Sequence, residues 1–382
     1  MQSFKELYET LTRAALQNHL EETIRHLESG NYNPYHLDCL LHPEKHPLMI
    51  NTDDDATLSD EVNVDENTMQ VLTDAKEALP MFHELCNRNH PVYAMIAPAF
   101  IGQFSHEVTP GRLRTAFKKL GFAGMVEVAL FADILTLKEA LEFDRSVQKE
   151  EDYILTSCCC PVWLNMCRKA GLMEHIPGSV SPMVACGRSI KQLHPHAVTV
   201  FIGPCIAKKA EAKEPDICDA VDYVLTFQEI REIFDLASID PATLEEDERE
   251  HSSTAGRIYA FSGGVSRAVQ SCLYKIRPER TLPLTVRGAN GVSECRALIE
   301  DVKNGKHGAN FIEGMGCVGG CVGGPKALLS STLGQAHVAR YGDQADYASP
   351  AENPYVIDLL HRLGFTTFES LLDENSIFAR HF

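Results

Sequence analysis

No apolar run in this chain approaches the roughly 20 residues of a membrane-spanning helix, and its polar start, MQSFKELYET, carries no secretion signal. Both absences point to the cytoplasm. Positive charge is scarce as well: 35 Lys and Arg stand against 53 Asp and Glu, a net charge of −18. Nucleic acid needs a basic face, so it is excluded as the main partner. Part of the negative charge sits in two acidic segments, Asp53–Glu66 and Glu245–Glu250, which are poor in apolar residues and read as solvated loop.

The chain also lacks an even cysteine count. With 13 cysteines and no secretion signal, a disulfide framework is disfavoured. Isolated ones such as Cys86, Cys218 and Cys272 are expected to be buried apolar residues. The clustered ones call for another explanation, and metal ligation is the natural candidate.

At 382 residues the chain exceeds the size at which one hydrophobic core stops growing, so two lobes or more are expected. Residues 1–30 read as one or two amphipathic helices, 31–65 as a loose connection, and Asp65–Asn87 as a further helix. Short apolar runs at 92–98, 124–130, 153–157 and 197–203 then read as strands, as do 223–227, 258–264, 282–289 and 309–315. Helices are expected at Pro110–Leu120, Leu135–Val147, Cys160–Ala170, Pro182–Leu193, Phe227–Asp235, Val265–Ile276 and Val292–Asn304. The alternation predicts an α/β fold: two lobes with mixed, largely parallel sheets flanked by helices, and functional residues at strand ends in the cleft between them. The expected division is a helical region at 1–90, lobes at 91–215 and 216–352, and a helical tail at 353–382.

Three cysteine motifs follow predicted strands. In TSCCCPVW (Thr156–Trp163), Pro161 starts a helix and leaves Cys159 and Cys160 at the strand-to-helix turn, where an anionic thiolate is favoured. In GPCIAKK (Gly203–Lys209), two lysines lie at a helix start, where a cation is unfavourable unless an anion is near. In EGMGCVGGCVGGP (Glu313–Pro325), Cys317 and Cys321 are four apart, one helical turn, among glycines that admit a bulky inorganic group. Four thiolates from three strand ends, Cys160, Cys205, Cys317 and Cys321, suit a [4Fe–4S] cluster. Zinc remains the alternative, although zinc motifs usually bring ligands as close pairs and only one such pair exists.

In order and spacing these segments resemble the three signatures of [FeFe]-hydrogenases, TSCCP-x-W, PC-x-x-KK-x-E and E-x-M-x-C-x-GGC, from about Val92 to Gly324. The resemblance implies a cubane on Cys160, Cys205, Cys317 and Cys321. Cys321 would bridge it to a di-iron unit carrying CO, CN⁻ and a bridging dithiolate, the whole forming an H-cluster that interconverts protons, electrons and dihydrogen. Lys208 would donate to one cyanide, Ala97-Pro98-Ala99 would lie beside the other, and Met315 would pack by the di-iron unit. Cys159 falls at the family's proton-transferring thiol, and Glu139 and Glu142 match its two relay glutamates. The bland reading of that pair, i and i+3 on a helix, is an exposed surface pair.

Several positions depart from the family. The first motif carries an extra cysteine, Cys158, so that a one-residue shift would exchange it with Cys159. Gly203 replaces a methionine, Met183 a glutamine and Ala99 a serine, and the serine of the usual relay has no clear counterpart near Pro177. These departures resemble the sensory, less active branches of the family. The family's accessory iron–sulfur motifs are not found at the N-terminus, so electrons are expected to enter directly at the cubane. The partners implied are a ferredoxin or another electron-transfer protein, and the hydrogenase maturation proteins, in an anaerobic cytoplasm. An H₂ sensor of low turnover, or an iron–sulfur assembly homologue lacking the di-iron unit, are the alternatives.

Overall fold

Seven short strands build two parallel sheets in the computed structural model, which describes residues 2–45, 77–87, 89–156, 159–247, 249 and 251–382. The strands are β1 (Val92–Ile96), β2 (Gly124–Glu127), β3 (Ile154–Leu155), β4 (Val198–Gly203), β5 (Tyr223–Thr226), β6 (Val286–Asn290) and β7 (Phe311–Met315). One sheet runs β2-β1-β4-β5 and the other β3-β7-β6, and every ladder among them is parallel. β1 and β4 are almost wholly buried, as parallel strands covered by helices on both faces must be. The sheets interleave along the chain, because β3 joins β7 in the second sheet while β5 returns to β4 in the first.

Helix ends follow local chemistry. Thr109 Oγ1 accepts the Arg112 N–H, Pro110 occupies the first turn, and Gly121 closes the Pro110–Leu120 helix at φ 106°. Ser181 and Pro182 start the Pro182–Leu193 helix in the same way. The Ala129–Ser146 helix begins earlier than expected, and every residue from Phe131 to Phe143 is buried. A helix buried all round is a core element. The Pro354–Arg362 helix packs back on the body through Val356, Leu359 and Leu360.

Three expectations need correction. The run 258–264 is no strand: Ile258–Ala260 forms a 3₁₀ turn, and Gly264 begins the Gly264–Ile276 helix. A Cβ on Gly264 would lie 1.8 Å from the Ile258 carbonyl, so the chain doubles back too tightly to pair. Within the connection read as loose, Asn33 caps a helix at Pro34–Leu41 that buries Cys39 and Leu40. Of the helix expected over Asp65–Asn87, Ala78–Asn87 is helical and 65–76 lie outside the described residues, as does the acidic segment Asp53–Glu66. The other acidic segment is docked, with Glu246 accepting from Thr109 Oγ1 and Asp247 paired with Lys118 at 2.7 Å.

Candidate metal centre

In the first sheet the strand order reverses between β1 and β4, and ligands of open α/β sheets gather outside the carboxyl ends of strands, above all at such points. All three cysteine motifs emerge there, after β3, β4 and β7. Cys160 is the N-cap residue of the Pro161–Lys169 helix, and its Sγ accepts the Gly316 N–H at 3.4 Å, which ties the first motif to the third. Trp163 is buried, with Nε1 donating to the Thr156 carbonyl at 3.1 Å.

The third motif is not a helical turn. Gly319 and Gly320 take φ of 89° and 85°, the Gly320 N–H donates to the Cys317 carbonyl, and a short 3₁₀ turn covers Cys321–Gly323. A Cβ on Gly320 would sit 2.6 Å from the Ser262 nitrogen, so the positive φ and the close approach both require glycine there. Asn290, at the end of β6, holds this loop by accepting the Gly319 N–H at 2.7 Å and the Ser262 hydroxyl at 2.8 Å. Glu313 accepts the N–H groups of Gly263 and Ser266, so the glutamate of the motif locks β7 to the start of the Gly264–Ile276 helix.

The four thiols act on one another electrostatically. Burial pushes the Cys205 thiol up to about 12, Cys160 adding to the rise, Lys208 opposing it and Cys317 adding a little more. Burial and then Cys160 raise Cys317 to about 11, and burial raises Cys321, helped by Cys205, Cys160 and Cys317. Cys205, Cys317 and Cys321 are therefore held as thiols by burial, and a metal must displace their protons to bind. Among the described residues no three His, Cys, Asp or Glu side chains close on a single ion position.

The lysines of the second motif find protein anions. Lys209 pairs with Glu229 at 2.9 Å, and Glu229 also closes the capping box of the Phe227–Leu236 helix. Lys208 is buried, its ammonium 2.5 Å from Glu211. Apart from this ion pair, Lys208 Nζ makes no hydrogen bond among the described residues, which leaves it donors to spare in the interior. Although burial alone would lower it, Glu211 followed by Cys205 and Cys321 holds the Lys208 pKa above its usual value. An unspent buried donor beside four thiols fits an anionic inorganic group.

Pro98 and Ala99 turn away from the end of β1, with Ala99 fully buried. Gly203 cannot carry a larger side chain, since its Cβ would lie 2.8 Å from the Phe201 ring and 3.1 Å from the Ala97 Cβ. Ala99, Met183 and Met315 belong to one buried cluster, with Cys159, Cys160 and Cys321 packed against it. Cys158 lies outside the described residues.

Glu139 and Glu142 are both buried, which removes the reading of an exposed pair. Ser179, two residues beyond Pro177, donates its Oγ proton to Glu142 at 3.0 Å across 37 residues of sequence. Lys138, also unforeseen, pairs with the same carboxylate. A second set of thiols, Cys167 and Cys295, is buried beside Cys160, with Cys295 donating to the Met315 carbonyl at 3.5 Å. Of the isolated cysteines, Cys272 is buried as expected, Cys86 is half-buried and Cys218 is exposed.

The fold and site define an α/β protein that gathers three cysteine motifs, from three strand ends, at a candidate metal centre. Residues 90–325 match the family described as iron only hydrogenase large subunit, C-terminal domain, and the chain belongs to that family. It is 30% identical over 271 residues to the periplasmic [Fe] hydrogenase large subunit of Nitratidesulfovibrio vulgaris, covering 59% of this chain and 64% of that one. It is 28% identical over 287 residues to iron hydrogenase 1 of Clostridium pasteurianum, covering 64% and 50%. The cytosolic iron–sulfur assembly component 3 of Bos taurus is 26% identical over 280 residues, covering 59% and 58%. The chain thus spans between half and just under two thirds of these relatives. An [FeFe]-hydrogenase solved in connection with oxygen inactivation superposes with a TM-score of 0.63 at 20% identity, over 80% of this chain and 99% of that one. An [FeFe]-hydrogenase variant of Chlamydomonas reinhardtii gives 0.60 at 19%, over 77% and 94%. At such identity these likenesses bear on the fold alone. Among the described residues no helix is long and apolar enough to cross a membrane.

Proposed function

We propose that this chain is a cytoplasmic [FeFe]-hydrogenase-type protein, carrying a [4Fe–4S] cluster on Cys160, Cys205, Cys317 and Cys321, with Cys321 shared by a di-iron unit. The observation that carries the reading is the buried Lys208 ammonium, with donors to spare, among four mutually interacting thiols. An iron–sulfur scaffold alone would need the thiols but not that cation.

When bound, the di-iron unit supplies the chemistry of breaking or making the H–H bond. The residues of the chain do the rest. Lys208 holds a cyanide by a charge-assisted hydrogen bond. Ala99, Met183 and Met315 keep water from the pocket, and Gly203 leaves room that Phe201 fills. Cys159 would hold and release a proton at its thiol, and Glu139 and Glu142 would pass it onward, with the Ser179 hydroxyl donating to Glu142. A ferredoxin or another electron-transfer protein exchanges electrons with the cubane, and maturation proteins install the di-iron unit.

A low-turnover H₂ sensor is the second reading, favoured by the apolar Ala99 and Met183 and the bare Gly203 where the family has larger or polar residues. Infrared spectroscopy after maturation with the di-iron cofactor tests the proposal, because bound CO and CN⁻ absorb where protein does not. Bands are expected in the wild type and weak retention of the unit in Lys208→Ala. Identical bands in both proteins remove the cyanide contact, and no bands in either favour the assembly-type alternative.

A further inference from the structure

Glu142 does not stand free on its helix. The ammonium of Lys138, one turn earlier, grips one carboxylate oxygen, and Ser179 Oγ lies 3.0 Å from the other. Lys138 also reaches the Gly178 carbonyl at 3.4 Å. All three side chains are inside the protein, at 3% exposure for Lys138, 2% for Glu142 and 1% for Ser179. The Gly178–Val180 segment is covered in turn by the C-terminal residues: Val180 N–H donates to the Phe378 carbonyl at 3.1 Å, and Arg380 N–H to the Gly178 carbonyl at 3.0 Å.

A lysine is almost never fully buried unless it is paired. Taking two charges out of water costs several kcal/mol per ion, and an apolar pair of similar volume would often be at least as stable. Stability therefore gives little reason for this pair in a helix that is otherwise buried all round. A serine has one proton and serves one carboxylate oxygen at a time, so Ser179 cannot fix the charge of Glu142. Lys138 can.

The other charged groups on the surrounding segments are engaged elsewhere. Arg380 pairs with Glu214 and Asp216, Arg277 with Asp144 and Glu369, Arg188 with Asp219, and Lys275 with Glu352. Arg257 donates to Ser252 and Tyr341. Glu139 shares the helix face of Glu142.

We infer that Lys138 is a positioning residue that keeps Glu142 ionised and oriented toward Ser179, so that the outer station of the proton route is a clamped anion. The inference rests on the relay role proposed above for Glu142. A carboxylate held by a buried cation gives up its place in the ion pair whenever it takes a proton. The clamp thus slows proton exchange while keeping the route in register.

The charge state can be read without the di-iron unit, by infrared difference spectroscopy of the full-length chain at neutral pH in H₂O and D₂O. With Lys138→Met, burial favours the neutral acid, and about one protonated carboxyl per chain is expected in excess of the wild-type signal, to which Asp133 contributes. Its band should shift in D₂O and vanish in the Lys138→Met/Glu142→Gln double variant. Lys138→Arg, which keeps the cation, should show no such band. If Lys138→Met fails to fold, Lys138→Gln keeps a polar group of similar length without charge and carries the same expectation. A folded, uncharged variant lacking the protonated-carboxyl band overturns the inference, as does a band that survives Glu142→Gln. Failure of the hydrogenase reading shows instead in the CO and CN⁻ bands of the matured protein, so the two failures are distinguishable.

Discussion

Gly314 and Trp163 interlock: a Cβ added to Gly314 would fall 2.1 Å from the indole ring. The contact sets the first cysteine motif against the strand that leads into the third, since Trp163 lies three residues beyond Cys160 and Gly314 three before Cys317. Trp163 is also pinned by its bond to the Thr156 carbonyl, so the ring has no easy retreat. Gly314→Ala should destabilise the fold by about 1–3 kcal/mol, the usual cost of overpacking a well-filled core. Denaturant unfolding followed by fluorescence of Trp163, the one tryptophan of the chain, checks this. An unchanged midpoint would show that the sheet can open at this contact.

Four of the buried or half-buried thiols are proposed ligands and two of their neighbours are not, which separates ligation from mere proximity. Cys205→Ala or Cys317→Ala should lose most of the bound iron and the EPR signal of the reduced cubane. Cys167→Ala and Cys295→Ala should keep both, since Cys295 already spends its proton on the Met315 carbonyl. Full cluster occupancy in Cys205→Ala would disprove the ligand set.

What the sequence made legible was local. The Pro110–Leu120 and Pro182–Leu193 helices are found as expected because Thr109-Pro110 and Ser181-Pro182 carry their own start signals. β1, β4 and β7 are legible as apolar runs ending in turn residues. The cysteine motifs are legible because each follows such a strand. Contacts between distant segments were not: the pairing of β3 with β7 joins Leu155 to Ile312, and Ser179 meets Glu142 only through the fold. Lys138 reads as a surface residue in LKEALE because nothing local says that the helix is covered on every side. The run 258–264 has strand-like composition, and only the close approach of Gly264 to Ile258 turns it into a bend.

Asp133 gives the stability a particular pH dependence. It is wholly buried and accepts from the Ser253 N–H, the Ser253 hydroxyl and the Gly256 N–H. Burial raises its pKa to about 7 from 3.8, against the lowering effect of those donors and of Arg257. Between about pH 4 and 7 the folded protein keeps a proton that the unfolded chain has lost, so this group makes stability fall as pH rises, by at most roughly 1.4 kcal/mol per pH unit. Asp133→Asn mimics the protonated acid. It should match the wild type near pH 4 and gain on it steadily up to pH 7. Parallel stability curves for the two proteins across that range would show that Asp133 stays ionised when buried.

The thiol that hands protons to the metal centre is the remaining choice, between Cys159 and Cys158. Pro161 fixes Cys160 as the N-cap residue of its helix, and Cys159 is half-buried and packed against the main core beside it. A free thiol titrates at about 8.5, close enough to neutrality to pass a proton at modest cost. Alignment backwards from Pro161 favours Cys159. H₂ evolution should therefore be lost in Cys159→Ala and kept in Cys158→Ala, each with its cofactor content verified by infrared intensity. Loss in Cys158→Ala alone moves the relay by one residue. Undiminished turnover in both means that protons leave by another route, and Glu139 and Glu142 would lose their assigned role with it.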